Sequence, residues 1–189
     1  MKKLIFTLIL PLLFLNSCAT SSSDTFFIHA VYFRQEDSRF SVSAVCEKLS
    51  GKDESFHIIS EMGESIDEAT KKLMNNNKDC YFATCRYYLI DKDASHGLLS
   101  HLSRVLCDSN IYPTKADFIC VEGDEVIGAI KDGDSINSIE KITQESNTNT
   151  VKFLSRYTSG KKTTLYCIGI KDKDFVITGT KLFDMEEQK

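Results

Sequence analysis

Seven cysteines and four histidines are the residues of this chain with the most chemical reach. Cys46, Cys80, Cys85, Cys107, Cys120 and Cys167 all lie beyond the first twenty residues, while Cys18 stands apart near the start. Six cysteines permit fifteen disulfide connectivities. Cys46, Cys120 and Cys167, however, sit within strand-like apolar runs, where a free cysteine behaves as a small hydrophobe. Cys80 and Cys85 are five apart in one strand-like segment, which predicts side chains on opposite faces. The expectation is mainly buried free thiols, with a disulfide as the alternative. No pair has C-x-x-C spacing, so neither a redox motif nor a structural zinc site is expected.

His96 and His101 are five apart, where two ligands on one helical face need three or four; His29 and His57 are isolated in strands. A Cys–His nucleophilic pair using Cys80 or Cys85 has no local motif behind it. Asp91, Asp93, Asp132 and Asp134 lack calcium-loop spacing and fall where turns and helix caps use acidic residues. The glycines form no phosphate-binding pattern. The expectation is a protein with no catalytic residue, no metal and no cofactor.

Cys18 invites a different chemistry. Met1-Lys2-Lys3 is a cationic start, followed by an apolar run from Leu4 to Leu15 broken only by Thr7 and Pro11. Twelve residues of helix rise about 18 Å, short of a hydrocarbon core of roughly 30 Å, so this is the pattern of a signal peptide. Leu15-Asn16-Ser17-Cys18 resembles the lipobox of bacterial lipoproteins, whose cysteine takes a diacylglycerol before the chain is cut on its N-terminal side. Two or more acyl chains, at ~0.8 kcal/mol per buried CH₂, give stable attachment to a lipid bilayer. The boundaries read as signal peptide 1–17, lipidated tether 18–24, one domain over 25–184 and a polar tail at 185–189.

The elements follow from periodicity. Thr25–Arg34 and Arg39–Lys48 flank the turn Gln35–Ser38; in the second run Phe40, Val42, Ala44 and Cys46 share one face. Ser55–Met62 is a third strand. Ser65-Ile66-Asp67-Glu68 is a capping box opening a helix that ends at Asn75–Asn77. Tyr81–Ile90 reads as one strand, and Asp93 caps a helix through about Asp108. Ala116–Val121 is an apolar run suited to a strand covered on both faces. Glu125–Ile130 is ambiguous; Asp134 caps a helix through Gln144, Val151–Tyr157 is another, and Thr163–Ile170 with Phe175–Thr180 form a hairpin. This order predicts a single α+β domain, a mixed and mainly antiparallel sheet flanked by three to four helices.

Composition sets outer bounds. With 189 residues, 42% hydrophobic and 26% charged, the chain is an ordinary globular one and excludes collagen-like or low-complexity classes. Its net charge of −4 becomes −6 once Lys2 and Lys3 leave with the signal peptide, and no basic stripe points to nucleic acid.

In element order the chain resembles the N-terminal domain of the C-subunit lipoproteins of spore germinant receptors, the Ger(x)C family. The likeness runs from Leu15–Cys18 through the strand pair 25–48, helix 65–76, Tyr81–Ile90 with Asp91 after it, and strand 116–121. It continues in Thr150–Leu154, like the family's short helix, and in Gly179-Thr180-Lys181-Leu182-Phe183, like its Gly-Thr-Ala-Val-Phe strand. Ala19-Thr20 replaces the Trp common after the family's lipidated cysteine, Cys85 stands where a His is frequent, and Tyr166-Cys167 replaces a Pro. Members run to roughly twice this length. The resemblance implies a lipid-anchored accessory subunit without enzymatic activity, at the outer leaflet of the cell membrane or in the spore inner membrane. Its implied partners are polytopic receptor subunits that sense small nutrients. The competing expectation is a surface lipoprotein that binds a small ligand or peptide in a concave pocket.

Overall fold

The computed structural model describes residues 25–50, 53–77, 79–144 and 149–183. The expected signal peptide over 1–17, Cys18 with the expected tether through 24, and the expected polar tail at 185–189 lie outside the described residues. The chain runs β1 (Thr25–Glu36), β2 (Arg39–Ser50), β3 (Asp53–Gly63), α1 (Ile66–Asn76), β4 (Cys80–Tyr81) and β5 (Tyr87–Asp91). It continues with α2 (His96–Asp108), β6 (Asp117–Val121), α3 (Glu125–Gly128), α4 (Gly133–Thr143), α5 (Thr150–Thr158), β7 (Thr163–Lys171) and β8 (Asp174–Phe183). The eight strands form one mixed sheet in the order β3-β2-β1-β5-β6-β7-β8, with the short β4 also paired to β1. The α+β class and the single mixed, mostly antiparallel sheet are as the periodicity predicts. One helix more is present than expected, because the ambiguous segment after β6 closes as the single turn α3.

Long antiparallel ladders lie at the two sides of the sheet, β1–β2–β3 and β7–β8. Short parallel ladders join them through β5 and β6. The parallel connections all step the same way across the sheet, and α1, α2 and α5 within them pack on one face. That face carries the larger core: Phe33, Val42 and Tyr88 from strands under Leu73 of α1, Leu102 of α2 and Phe153 of α5. On the opposite face, Val126, Ile127, Ile136 and Ile139 of α3 and α4 cover Leu89, Ile119, Val121 and Ile168. β6 is therefore buried on both sides, as its continuous apolar run requires.

Helix starts show how the sequence sets the boundaries. Ser65 caps α1 by accepting from the Glu68 amide at 3.1 Å. The Glu68 carboxylate returns to the Glu64 amide at 2.8 Å, one residue ahead of the usual capping-box donor. Two expected caps shift. Ser95, not Asp93, caps α2 by accepting from the Leu98 amide at 3.0 Å. Asp132, not Asp134, caps α4 by accepting from the Ser135 amide at 2.8 Å. Asn149 caps α5 through the Lys152 amide at 3.0 Å.

A larger correction concerns Tyr81–Ile90, which is not one strand. A 3-10 turn over Phe82–Thr84 interrupts it. The turn is closed by the Cys85 amide on the Phe82 carbonyl and pinned to β1 by Thr84 Oγ1 on the Ile28 carbonyl at 2.9 Å. The opposite-face expectation for Cys80 and Cys85 fails with it. Cys85 is buried and Cys80 half-buried, both against the larger core.

Candidate functional site

On the second face, over β1–β3 and beside α3, the surface becomes concave. Alternation in β2 sends Phe40, Val42, Ala44 and Cys46 into the larger core and leaves Ser41 and Ser43 on the other face. In register with them, β3 presents Met62 opposite Ser41 and Ser60 opposite Ser43. Ser60 Oγ donates to Ser43 Oγ at 2.8 Å, and Ile58 and Met62 flank this bonded pair of serines along β3. Helix α3 walls one side with Ile127, and Lys72 and Asn76 of α1 reach the rim at β3. The groove encloses about 1040 Å³.

Tyr32 and Arg34 of β1 anchor its inner wall through a network at the carboxyl ends of the parallel strands. The Tyr32 hydroxyl shares its single proton between Asp91 Oδ2 at 3.1 Å and Asp124 Oδ1 at 3.3 Å. Arg34 Nη1 donates to Asp124 Oδ2 at 2.7 Å and lies 3.6 Å from Glu36. Burial, then the charges of Asp91 and Asp124, push the Tyr32 phenol far above its ordinary range, so it is a fixed donor. Burial works against the Arg34 cation, but Asp124, Tyr32 and Glu36 outweigh it and hold its pKa above the ordinary value. Arg34 and Asp124 remain 39% and 64% exposed, so solvent screens their bridge and its worth lies in positioning.

Arg34, Arg39 and Lys72 face Glu36, Glu61 and Asp124 around this groove, a balanced set of charges above serine hydroxyls. Ile58, Met62 and Ile127 add apolar surface to the groove. Its lining includes neither histidine nor cysteine that could activate a serine. A smaller hollow of about 490 Å³ adjoins it between Arg34, Asp91 and Ser95, where Ser95 Oγ donates to Gln35 Oε1 at 2.6 Å.

The residues singled out by type fall elsewhere. Cys46, Cys85, Cys120 and Cys167 are buried free thiols, and Cys107, one of the six expected to be mainly buried, is exposed. Burial pushes the Cys46 and Cys85 thiols up to about 12 and raises Cys80 as well. This is the reverse of what a nucleophilic thiolate needs. Cys120 and Cys167 are cross-strand neighbours on β6 and β7. His29 Nε2 lies 3.1 Å from Glu47 Oε2 and its ring stacks on Phe56. His96 Nδ1 is 3.0 Å from the Tyr157 hydroxyl, while His101 accepts from Arg104 Nη2 at 3.1 Å. Among the described residues no group of three or more His, Cys, Asp or Glu side chains is placed to hold a metal. None of their helices is long and apolar enough to cross a membrane.

Sequence reading missed the Tyr32–Asp91–Asp124–Arg34 network. The signal available was Tyr32 and Arg34 two apart on β1, with an aspartate directly after an apolar strand. Comparison of the chain with protein-family models, curated proteins and solved structures gives no match.

Proposed function

We propose that this protein is a membrane-anchored lipoprotein and a non-enzymatic accessory subunit of a nutrient germinant receptor in spore germination. It acts by docking on polytopic receptor subunits while acylated Cys18 holds it at the membrane. The observation that carries this reading is the lipobox at Leu15–Cys18 followed by one order of elements: meander, helix, strand, helix, strand, helices, hairpin. The uncovered face of β1–β3, with its balanced charges, offers the docking surface such a role requires. A photo-crosslinking amino acid at Ser43 in a sporulating host tests it. Crosslinks to a polytopic germinant-receptor subunit are the expected result. A natural host that never sporulates, or one lacking such subunits, would sink the proposal.

A second reading is favoured by the same groove: a surface lipoprotein that takes a small polar ligand or peptide above Ser41, Ser43 and Ser60. Under that reading Ser43→Trp blocks ligand uptake by the purified protein, with no receptor subunit needed.

A further inference from the structure

Aromatic rings gather at the end of the sheet where β1 begins. Phe27 and Tyr81 stack with centroids 5.8 Å apart, and Tyr81 remains 55% exposed, although it is a large aromatic side chain. Beside them Lys48 Nζ lies 5.9 Å from the centroid of the Phe26 ring. Charged residues stand at both ends, Glu47 and Asp79 beside these rings and Glu36, Asp37, Arg39, Asp91 and Asp93 at the other. The two ends are about 36 Å apart, the rise of a twelve-residue strand.

The chain length between anchor and fold decides which end meets lipid. From Cys18 to Thr25 there are seven residue steps, and at full extension these span at most about 25 Å. The Thr25 end therefore cannot leave the neighbourhood of a bilayer that holds the acyl chains of Cys18. Aromatic rings with one polar edge, and lysines with apolar stems, are the side chains that settle at headgroup level.

We infer that the Phe26–Phe27–Tyr81 end, with Lys48, rests in the phospholipid headgroup layer, so that the groove opens at the membrane-distal end of the sheet. This rests on the lipoprotein reading. The chain has no tryptophan, so a single introduced indole reports its own surroundings. Tyr81→Trp and Asp93→Trp are made in the full-length lipidated protein and reconstituted in phosphatidylcholine–phosphatidylglycerol vesicles containing a doxyl-labelled lipid. Mass spectrometry verifies the acyl groups. The expected result is a blue-shifted Tyr81→Trp emission, quenched about two-fold or more relative to Asp93→Trp. Acylated, vesicle-bound protein with both variants quenched alike, or neither quenched, overturns the orientation and leaves the anchor standing. A blue shift that needs native membranes with their own proteins assigns the patch to a protein partner, and also overturns it. Protein that carries no acyl chains overturns the anchor itself.

Discussion

The Tyr32 hydroxyl donates to Asp91 Oδ2 at 3.1 Å although the residues are 59 positions apart. The parallel β1–β5 ladder makes them neighbours, with Phe33 in register with Ile90 one step away. Removing the hydroxyl leaves Asp91 with the Asp93 amide at 2.8 Å and Asp124 with Arg34. Tyr32→Phe is expected to lower stability by about 1 kcal/mol, seen as a lower urea midpoint at unchanged slope. An unaltered midpoint would show that water replaces both bonds at no loss.

Tyr112 sits at the centre of the larger core, with Phe33, Phe82 and Tyr88 all edge-on to its ring. Its hydroxyl is 2.5 Å from Thr70 Oγ1, which also donates to the Ile66 carbonyl. Tyr112→Ala is expected to destabilise the domain by about 3–5 kcal/mol, whereas Tyr112→Phe costs about 1 kcal/mol. Equal losses in denaturant melts would mean that the hydroxyl, not the packing, dominates.

Asp117 at the start of β6 is held above its ordinary pKa of 3.8, by burial first and by Glu140 second. A carboxyl raised in the fold binds its proton more tightly there than in the unfolded chain. The penalty for its charge is then fully present above the folded pKa and absent below 3.8. Asp117→Asn should be more stable than the parent at neutral pH, and this advantage should fade as pH falls through the folded pKa toward 3.8. An advantage that persists in acid would assign the effect to something other than charge.

Thiol labelling of the folded protein at neutral pH should modify Cys107 first, since it alone among the described cysteines is exposed. Cys46 and Cys85, pushed from 9.0 up to about 12, hold on the order of a thousand-fold less thiolate, and burial adds to that protection. Denaturation should release them together. Fast labelling of Cys85 in the folded state would revive a nucleophilic role for it.

Cys18→Ser tests the anchor. The variant is expected to leave the membrane fraction or to persist as uncleaved precursor, read by fractionation and mass. A normally processed variant that stays membrane-bound would refute the lipoprotein reading.

Local chemistry carried much of the fold. The alternation Phe40, Val42, Ala44, Cys46 placed β2 on its correct face, and Ser65 with Glu68 marked the start of α1. Where two capping residues compete within three positions, as with Asp93 and Ser95 or Asp132 and Asp134, pattern alone does not choose. The break after Tyr81 was hidden because Phe82, Tyr87 and Tyr88 all favour strands, while the turn is held by a bond to Ile28 far back in the chain. The groove was hidden for the same reason. Its serines look like ordinary solvent-facing strand positions until α3 and β3 close around them.

Strand β1 has β2 along one side and β4 and β5 along the other, and it is also where the described chain begins. Its inter-strand hydrogen bonds run across its length. A pull applied at Thr25 is thus a shear, shared among many bonds at once, where an edge strand peeled from one end would lose them singly. The element nearest the proposed anchor is accordingly the one best built to bear mechanical load.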